Sequence, residues 1–347
     1  MKIALLSSGH LSNKKEATWI TLKHLAEYYS SIGHETIIIA RKHPNLPEIE
    51  NLKGSKIYRL FNNFLFGYST IKQLKINFDV IHGFSSSPIM ALSTYIAGKA
   101  CKKPKLIHTL KSYSKSKILN SMLKFPLKLM HKVTVPTTLA KNKLNLNKID
   151  VIHSNIDTIN FKPRNKEKLK QKYNIKEKVI FYYGAMRINK GVDYLIQALP
   201  KLKENVTCIM AFRSFTDEKT NFYKNMLKEL NFKNTQFIFN DINIYEYVSM
   251  ADVVVLAYPN IEGTEGNPSC LLESMASKTP VITTFIPEIV EITKNSVNLV
   301  PPKDIDLLAK EIDLVLKSPS KIKIEQAFKI SQEFSNKKIA EKYLKLY

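Results

Sequence analysis

The chain opens on an unbroken apolar run, Ile3–Leu6 within "MKIALLSS", which predicts a buried strand. A stripe of Ala17, Ile20, Leu25, Tyr29 and Ile32 follows at helical spacing, and Gly33 stands where a helix C-terminus favours glycine. "ETIIIA" predicts a second strand. The alternation resumes with the strand "FDVIHGF", the small-residue helix "PIMALSTYIAGKA", the strand "KLIHTL", the lysine-rich segment "SKILNSMLKFPLKLMHKV" and the strand "VTVP". A polar stretch, "NIDTINFKPRNKEKLKQKYNI", then separates this set from a second one of similar size. There the strands "KVIFYYGA", "VTCIMAF", "TQFIFN", "VVVLAY" and "VITTF" alternate with helices expected over 191–203, about 217–230, about 243–250 and 270–277. Strands alternating with helices predict parallel sheets covered on both faces. The reading is an α/β chain of two Rossmann-like domains, 1–155 and 156–330, facing one another across a cleft. Residues 331–347 are expected to form a helix returning to the first domain. Ligands of such sheets bind at the carboxyl ends of the strands.

Composition narrows the class. With 347 residues, 44% of them hydrophobic, the chain can bury two substantial cores without staples. Its three cysteines, Cys101, Cys208 and Cys270, lie too far apart for a disulfide framework or a cysteine zinc site, which suits a reducing, cytoplasmic setting. No 18-residue apolar run is present, and the first 30 residues are too polar for a signal peptide.

Charge adds a direction. Residues 1–163 hold 25 Lys and Arg against 8 Asp and Glu, whereas residues 164–347 hold 28 against 22. No acidic residue falls between Asp79 and Asp150, yet 13 lysines run from Lys99 to Lys148. A general lysine bias would load both halves alike, so the first half is expected to face something anionic. Inside that window Ile118, Leu119, Met122, Leu123, Leu127, Leu129 and Met130 interleave with Lys115, Lys117, Lys124, Lys128 and Lys132. That is the composition of an interfacial segment, which Pro126 is expected to break or kink. The expected partner is an anionic membrane surface, with the protein peripheral at the inner face of the cell membrane. A nucleic-acid partner would explain the net charge of +23 but not the lack of a zinc pair or an aromatic reader strand.

Candidate chemistry concentrates in "EGTEGNPSCLLESMASKTPVI", residues 262–282. Asn267 and Pro268 read as the cap and first residue of a helix. The backbone N–H groups of 268–271 (Pro268, Ser269, Cys270 and Leu271) would then form an anion site suited to a diphosphate. Glu265 and Glu273, eight apart, could each accept hydrogen bonds from neighbouring hydroxyls of a sugar or ribose.

This stretch resembles the Glu-x7-Glu signature of the retaining glycosyltransferases of family 4, which have the two-domain GT-B fold. "FIPEIVEITKNSVNLVPPKD", "SMADVVVLAYPN" with Asp252, "IDVIHSNIDTINFKP" and "FDVIHGF" resemble the family's other elements in the same order. "YYGAMRINKGVDYLIQAL" matches its Gly-Arg-x-x-x-x-Lys-Gly loop at Gly184, Lys190 and Gly191. The resemblance implies a hexosyltransferase of glycan biosynthesis. It would move sugar from a nucleotide diphosphate sugar to an acceptor hydroxyl with retention, and the charge excess of the first half points to a lipid-linked or membrane-proximal glycan as acceptor. Glu273 would hold the ribose hydroxyls and Glu265 the sugar. Lys190 with residues 267–271 would hold the diphosphate, whose developing charge cations stabilise most in the transition state. No residue stands out as a nucleophile, which suits a front-face reaction. No cofactor and no metal ion is expected.

Several positions depart from the family pattern. Ala185 replaces the loop arginine, so that either Arg187, two residues later, reaches the same site or Lys190 works with another cation, and Arg213 stands where a glycine pair would approach the nucleotide. Lys278 holds a glycine position. Asn155 holds another, where it is expected to take the left-handed backbone that Asn tolerates. On the acceptor side only Gly9 remains of a glycine loop, Lys111 replaces a histidine, and His82 ends a strand as either a ligand or a core residue. Asp304-Ile-Asp306 reads as a helix start rather than a cation site. The alternatives are a GT-B relative with other chemistry, such as an epimerase or a non-catalytic partner, and a basic nucleic-acid binder.

Overall fold

The computed structural model describes the chain apart from positions 8, 12–15, 113–116 and 262–267. Two compact units emerge, one of Met1–Asn155 with Asn336–Tyr347 and a second of the described residues between them. Both are α/β, each built on one mainly parallel sheet.

The first unit runs β1 (Lys2–Ser7), α1 (Ala17–Ser31), β2 (Glu35–Ile39), β3 (Ile49–Leu52), β4 (Ser55–Tyr58), α2 (Phe66–Leu74), β5 (Val80–Phe84), α3 (Pro88–Gly98), β6 (Lys105–Thr109), α4 (Lys117–Lys128), β7 (Lys132–Val135), α5 (Thr138–Leu144) and β8 (Ile149–Val151). Its eight strands lie in the order β3-β4-β2-β1-β5-β6-β7-β8, and only β3 is antiparallel to its neighbour. Ile3, Ala4 and Leu5 are wholly buried, as a run without polar alternation requires of a strand covered on both faces. The α1 stripe is shifted from expectation. Trp19, Leu22, Leu25, Ala26 and Tyr29 face the core, while Ile32 caps the helix and is 43% exposed. The large Trp19 ring buries far more area than Ala17 could, and so sets the rotation of the helix.

Helix α4 passes through Pro126 and ends at Lys128 without breaking there. Near a helix end, proline removes only one backbone hydrogen bond, here the one to Met122. The pair β3–β4 frames an unexpected buried charge. The Arg59 side chain is fully buried, pairs with Glu50 at 2.8 Å, and donates to the carbonyls of His10, Leu11 and Pro47 at 3.0–3.5 Å. It holds the segment that follows β1, where Leu11 takes a left-handed φ of 55°.

The second unit runs α6 (Lys166–Lys172), β9 (Lys178–Ala185), α7 (Val192–Ala198), β10 (Val206–Ser214), α8 (Asp217–Glu229), β11 (Thr235–Ile238), α9 (Ile244–Met250), β12 (Val253–Leu256), α10 (Ser269–Ala276), β13 (Val281–Thr284), α11 (Pro287–Thr293), β14 (Asn298–Val300), α12 (Ile305–Lys317) and α13 (Lys321–Ser331). Its sheet order is β11-β10-β9-β12-β13-β14. That is the doubly wound order whose switch point, here between β9 and β12, opens a crevice at the carboxyl ends of the strands. Asp252, just before β12, accepts from Val179 N–H at 2.7 Å and pairs with Lys170 and Lys166 at 2.6 and 3.0 Å. Burial alone would raise its pKa, but the two ammonium groups and the amide pull it below the ordinary value. Asp304 caps α12 through Leu307 N–H at 2.9 Å, and Asp306 pairs with Lys201.

The last helix, α14 (Asn336–Leu344), belongs to the first unit. Tyr29 donates to the Ala340 carbonyl at 3.1 Å, and the hydroxyl of Tyr347 lies 2.7 Å from Nδ1 of His82. Asn155 is not among the left-handed residues, contrary to expectation. Its amide instead accepts from Thr21 at 2.8 Å and donates to Asn336 at 2.6 Å, so side-chain bonding is what the position uses. Lys278, by contrast, does take a left-handed φ of 55°, which accounts for glycine in the family pattern there.

Candidate functional site

In the second unit, three segments meet at the β9/β12 switch point. The loop after β9 makes one turn of 3₁₀ helix, Ile188–Lys190, and then reaches Gly191 at φ 72°. A Cβ there would stand 1.7 Å from the Ala257 carbonyl oxygen, so only glycine lets this loop lie against the end of β12. The contact brings the Lys190 ammonium 5.4 Å from the Tyr258 ring centroid. Tyr258 is buried, and its hydroxyl lies 3.1 Å from the Cys270 sulfur in the first turn of α10.

Strand β9 supplies the second tie. The Tyr183 hydroxyl lies 2.9 Å from Glu273 Oε2 and 2.9 Å from the Cys270 carbonyl, which also accepts from Ser274 Oγ at 2.7 Å. Burial raises the pKa of Tyr183 well above the ordinary phenol value, and the Glu273 charge adds to that effect. The same holds for Tyr258, raised by burial and then by Cys270. Both phenols therefore stay protonated, and Tyr183 donates to Glu273. Glu273 is half-buried and held at its Oε2 by Tyr183.

The start of α10 differs from expectation. Pro268 is the cap, extended at φ −63° and ψ 122°, and the helix begins one residue later at Ser269. Pro268 has no N–H, and that of Leu271 donates to the Pro268 carbonyl at 3.2 Å. Two of the four backbone donors expected there are therefore not available to an anion, and the Leu271 side chain is wholly buried. Arg187 is exposed on the β9 loop, while Gly184 is half-buried at φ 156°. Opposite Gly184 and Ala185, strand β10 carries a bulge at Arg213, a device that re-aims a strand beside a site. Glu265 and Asn267, and the Arg213 side chain, lie outside the described residues.

The acceptor-side candidates sit in the first unit. His82 is wholly buried, with Nδ1 against Tyr347 and Nε2 2.7 Å from Thr109 Oγ1. Both ring nitrogens are engaged, so the core alternative describes it better than a ligand role. Burial, then the nearby His108 and Lys111, hold its pKa well below the ordinary value, so the ring is neutral. Lys111 donates to Thr21 Oγ1 at 3.2 Å and lies 5.9 Å from the Phe84 ring centroid. Gly9 donates to Ser7 Oγ at 3.2 Å, and a Cβ on it would make only ordinary contact at 3.7 Å. Among the described residues, no three His, Cys, Asp or Glu side chains converge as a metal site would need.

Residues 165–333, the span that includes β9, α10 and their contacts, match the sequence profile of the family described as glycosyl transferases group 1. That profile spans just under half of the chain, and through this segment the chain is similar to the family. An uncharacterized glycosyltransferase of Methanocaldococcus jannaschii is 26% identical, over 91% of this chain and 89% of its own. A glycosyltransferase of Rickettsia africae superposes with a TM-score of 0.83 at 23% identity, over 100% of this chain and 97% of that one. The Anabaena protein HepE, solved in complex with UDP, gives 0.81 at 15% identity and 99% coverage of both. These likenesses establish two parallel-sheet domains of the GT-B kind. Sequence reasoning missed Tyr183 and Tyr258. Tyr183 is the last of three consecutive rings in β9, and Tyr258 lies two residues beyond the aliphatic β12, so neither stood apart by its local pattern.

Proposed function

We propose that this glycosyltransferase moves a hexose, with retention, from a nucleotide diphosphate sugar to a hydroxyl of a lipid-linked or membrane-proximal acceptor. The observation that carries the reading is Glu273, fixed by Tyr183 at the β9/β12 switch point beside the Lys190–Tyr258 contact. A carboxylate has about four lone-pair sites and suits the two vicinal hydroxyls of a ribose. Lys190 and Arg187, with the amides of Ser269 and Cys270, would meet the diphosphate, while Glu265 would meet the sugar and Arg213 the nucleotide. HepE, which shares the fold, has been solved with UDP and with UDP-glucose, and supports a nucleotide-sugar donor.

In the reaction, the bond from the anomeric carbon to the diphosphate oxygen breaks while the acceptor oxygen adds on the same face. The acceptor proton passes to the departing phosphate oxygen, so no enzyme nucleophile and no metal ion is needed. Cations at the diphosphate speed this step because its charge grows as the bond breaks. The acceptor would enter near Gly9 and Lys111. The charge excess of the first unit supports an anionic or membrane-borne acceptor, met at the cytoplasmic face.

The test is a thermal-shift screen of UDP-, GDP-, ADP- and dTDP-sugars, followed by NMR of the product anomer. A donor at 100 times its Kd should add about 2.7 kcal/mol of stability. No shift with any nucleotide sugar, or an inverted anomer, would overturn the proposal.

A further inference from the structure

Helix α4 divides its apolar residues between two faces. Leu123 and Leu127, with Met130 just beyond the helix, are buried in the core. Ile118, Met122 and Phe125 are 75%, 58% and 65% exposed. Spacings of four and three residues place these three on one stripe. Single exposed apolar residues are commonplace, but three large ones in line make a patch that asks for a partner.

We propose that this stripe seats the first unit on a bilayer rich in anionic lipid, an inference that rests on the membrane-proximal acceptor proposed above. Charge selects the occupant. Lys124 and the exposed Lys128 fall on one flank of the stripe, about a third and about a quarter of a turn round the helix. The helix lies inside a window of sequence without a single Asp or Glu. A second copy of the chain would bring two such cationic surfaces together and be repelled. A nucleic acid would engage the lysines and leave the apolar stripe in water. An acidic membrane satisfies both, with apolar side chains entering the acyl boundary and lysines meeting the headgroups. Twelve residues and a proline suit a helix lying in the interface rather than crossing it. Among the described residues, no helix is long and apolar enough to cross.

The experiment is co-sedimentation of the full chain with vesicles of phosphatidylcholine containing about one third phosphatidylglycerol, against phosphatidylcholine alone. The triple variant Ile118→Ser, Met122→Ser, Phe125→Ser should lower the partition coefficient at least about tenfold at every salt concentration. Lys124→Glu with Lys128→Glu should weaken binding in 0.1 M salt and matter little in 1 M, as the Debye length falls from about 10 Å to about 3 Å. All substituted positions lie off the core, so both variants should keep the wild-type melting temperature and nucleotide-induced shift. Wild-type protein that ignores acidic vesicles, or a triple variant that binds them undiminished, overturns the inference. So does sedimentation velocity showing a dimer that the triple variant dissolves. Failure here leaves the nucleotide shift intact, whereas failure of the donor reading abolishes that shift and leaves vesicle binding unchanged.

Discussion

Tyr183→Phe deletes one hydroxyl and no carbon, and so isolates what holds Glu273. In the wild type the phenol has one proton and two acceptors at 2.9 Å, the Glu273 carboxylate and the Cys270 carbonyl. The carbonyl keeps its bond from Ser274 Oγ, so the proton serves the carboxylate. A hydrogen bond to a charged group contributes about 1.5–3 kcal/mol. Glu273 is half-buried, so water recovers part of that, leaving a net loss of about 1–2 kcal/mol. If the bond orients Glu273 for the ribose hydroxyls, the loss falls on nucleotide affinity, a five- to thirtyfold weakening. Titration calorimetry with the nucleotide found by thermal shift reads this directly. KM for the donor should rise in step, while kcat changes less, since the ribose lies away from the reacting bond. Wild-type nucleotide affinity in Tyr183→Phe, with affinity lost in Glu273→Ala, would refute the claim that this phenol positions the carboxylate.

Other outcomes follow from geometry. Gly191→Ala forces a methyl against the Ala257 carbonyl at a left-handed φ, and should lower the urea midpoint of the second unit by at least about 2 kcal/mol equivalent; an unchanged midpoint would contradict the packing described. Arg59→Met leaves Glu50 and three carbonyls without their buried partner and should cost about 3–5 kcal/mol in the first unit, read by chemical denaturation. His82 and His108 are both buried with lowered pKa values, His108 at about 4, so the unfolded chain binds more protons than the folded one below pH 6.5. Stability should therefore be full above about pH 7 and fall as pH drops through 6.5, by about 1 kcal/mol per histidine at pH 5.5; a flat profile would show that the rings take up protons as readily in the fold as in the unfolded chain.

The β/α alternation and the two sets of strands were legible because continuous apolar runs between polar helices admit few other structures. The loop from Gly184 to Gly191 and the α10 segment were legible as chemistry, through residue types at fixed spacing. Contacts between distant segments were not. Tyr183 reads as one more ring in a buried strand until α10 is laid beside it. Arg59 is one of five arginines in a lysine-rich chain, yet nothing local tells that it is wholly buried. Asn155 was misread because backbone tolerance is a property of the residue, whereas its bonds to Thr21 and Asn336 belong to the fold. In α4 apolar residues occur all round the helix, so periodicity alone could not say which of them face outward.

The return of α14 to the first unit has a consequence for synthesis. The wholly buried Ile339 and Ala340 and the nearly buried Tyr343 help close that unit, and the partners of Tyr29 and His82 lie at Ala340 and Tyr347. None of these residues exists while residues 156–335 are being translated, a span of roughly ten to forty seconds at about 5–20 residues per second. The unit that begins first therefore ends last. Through that interval its α1 and β5 would present an open apolar surface, while the second unit, whose described residues all precede position 336, can already close. A nascent chain stalled before position 336 should accordingly be the species most dependent on a holdase.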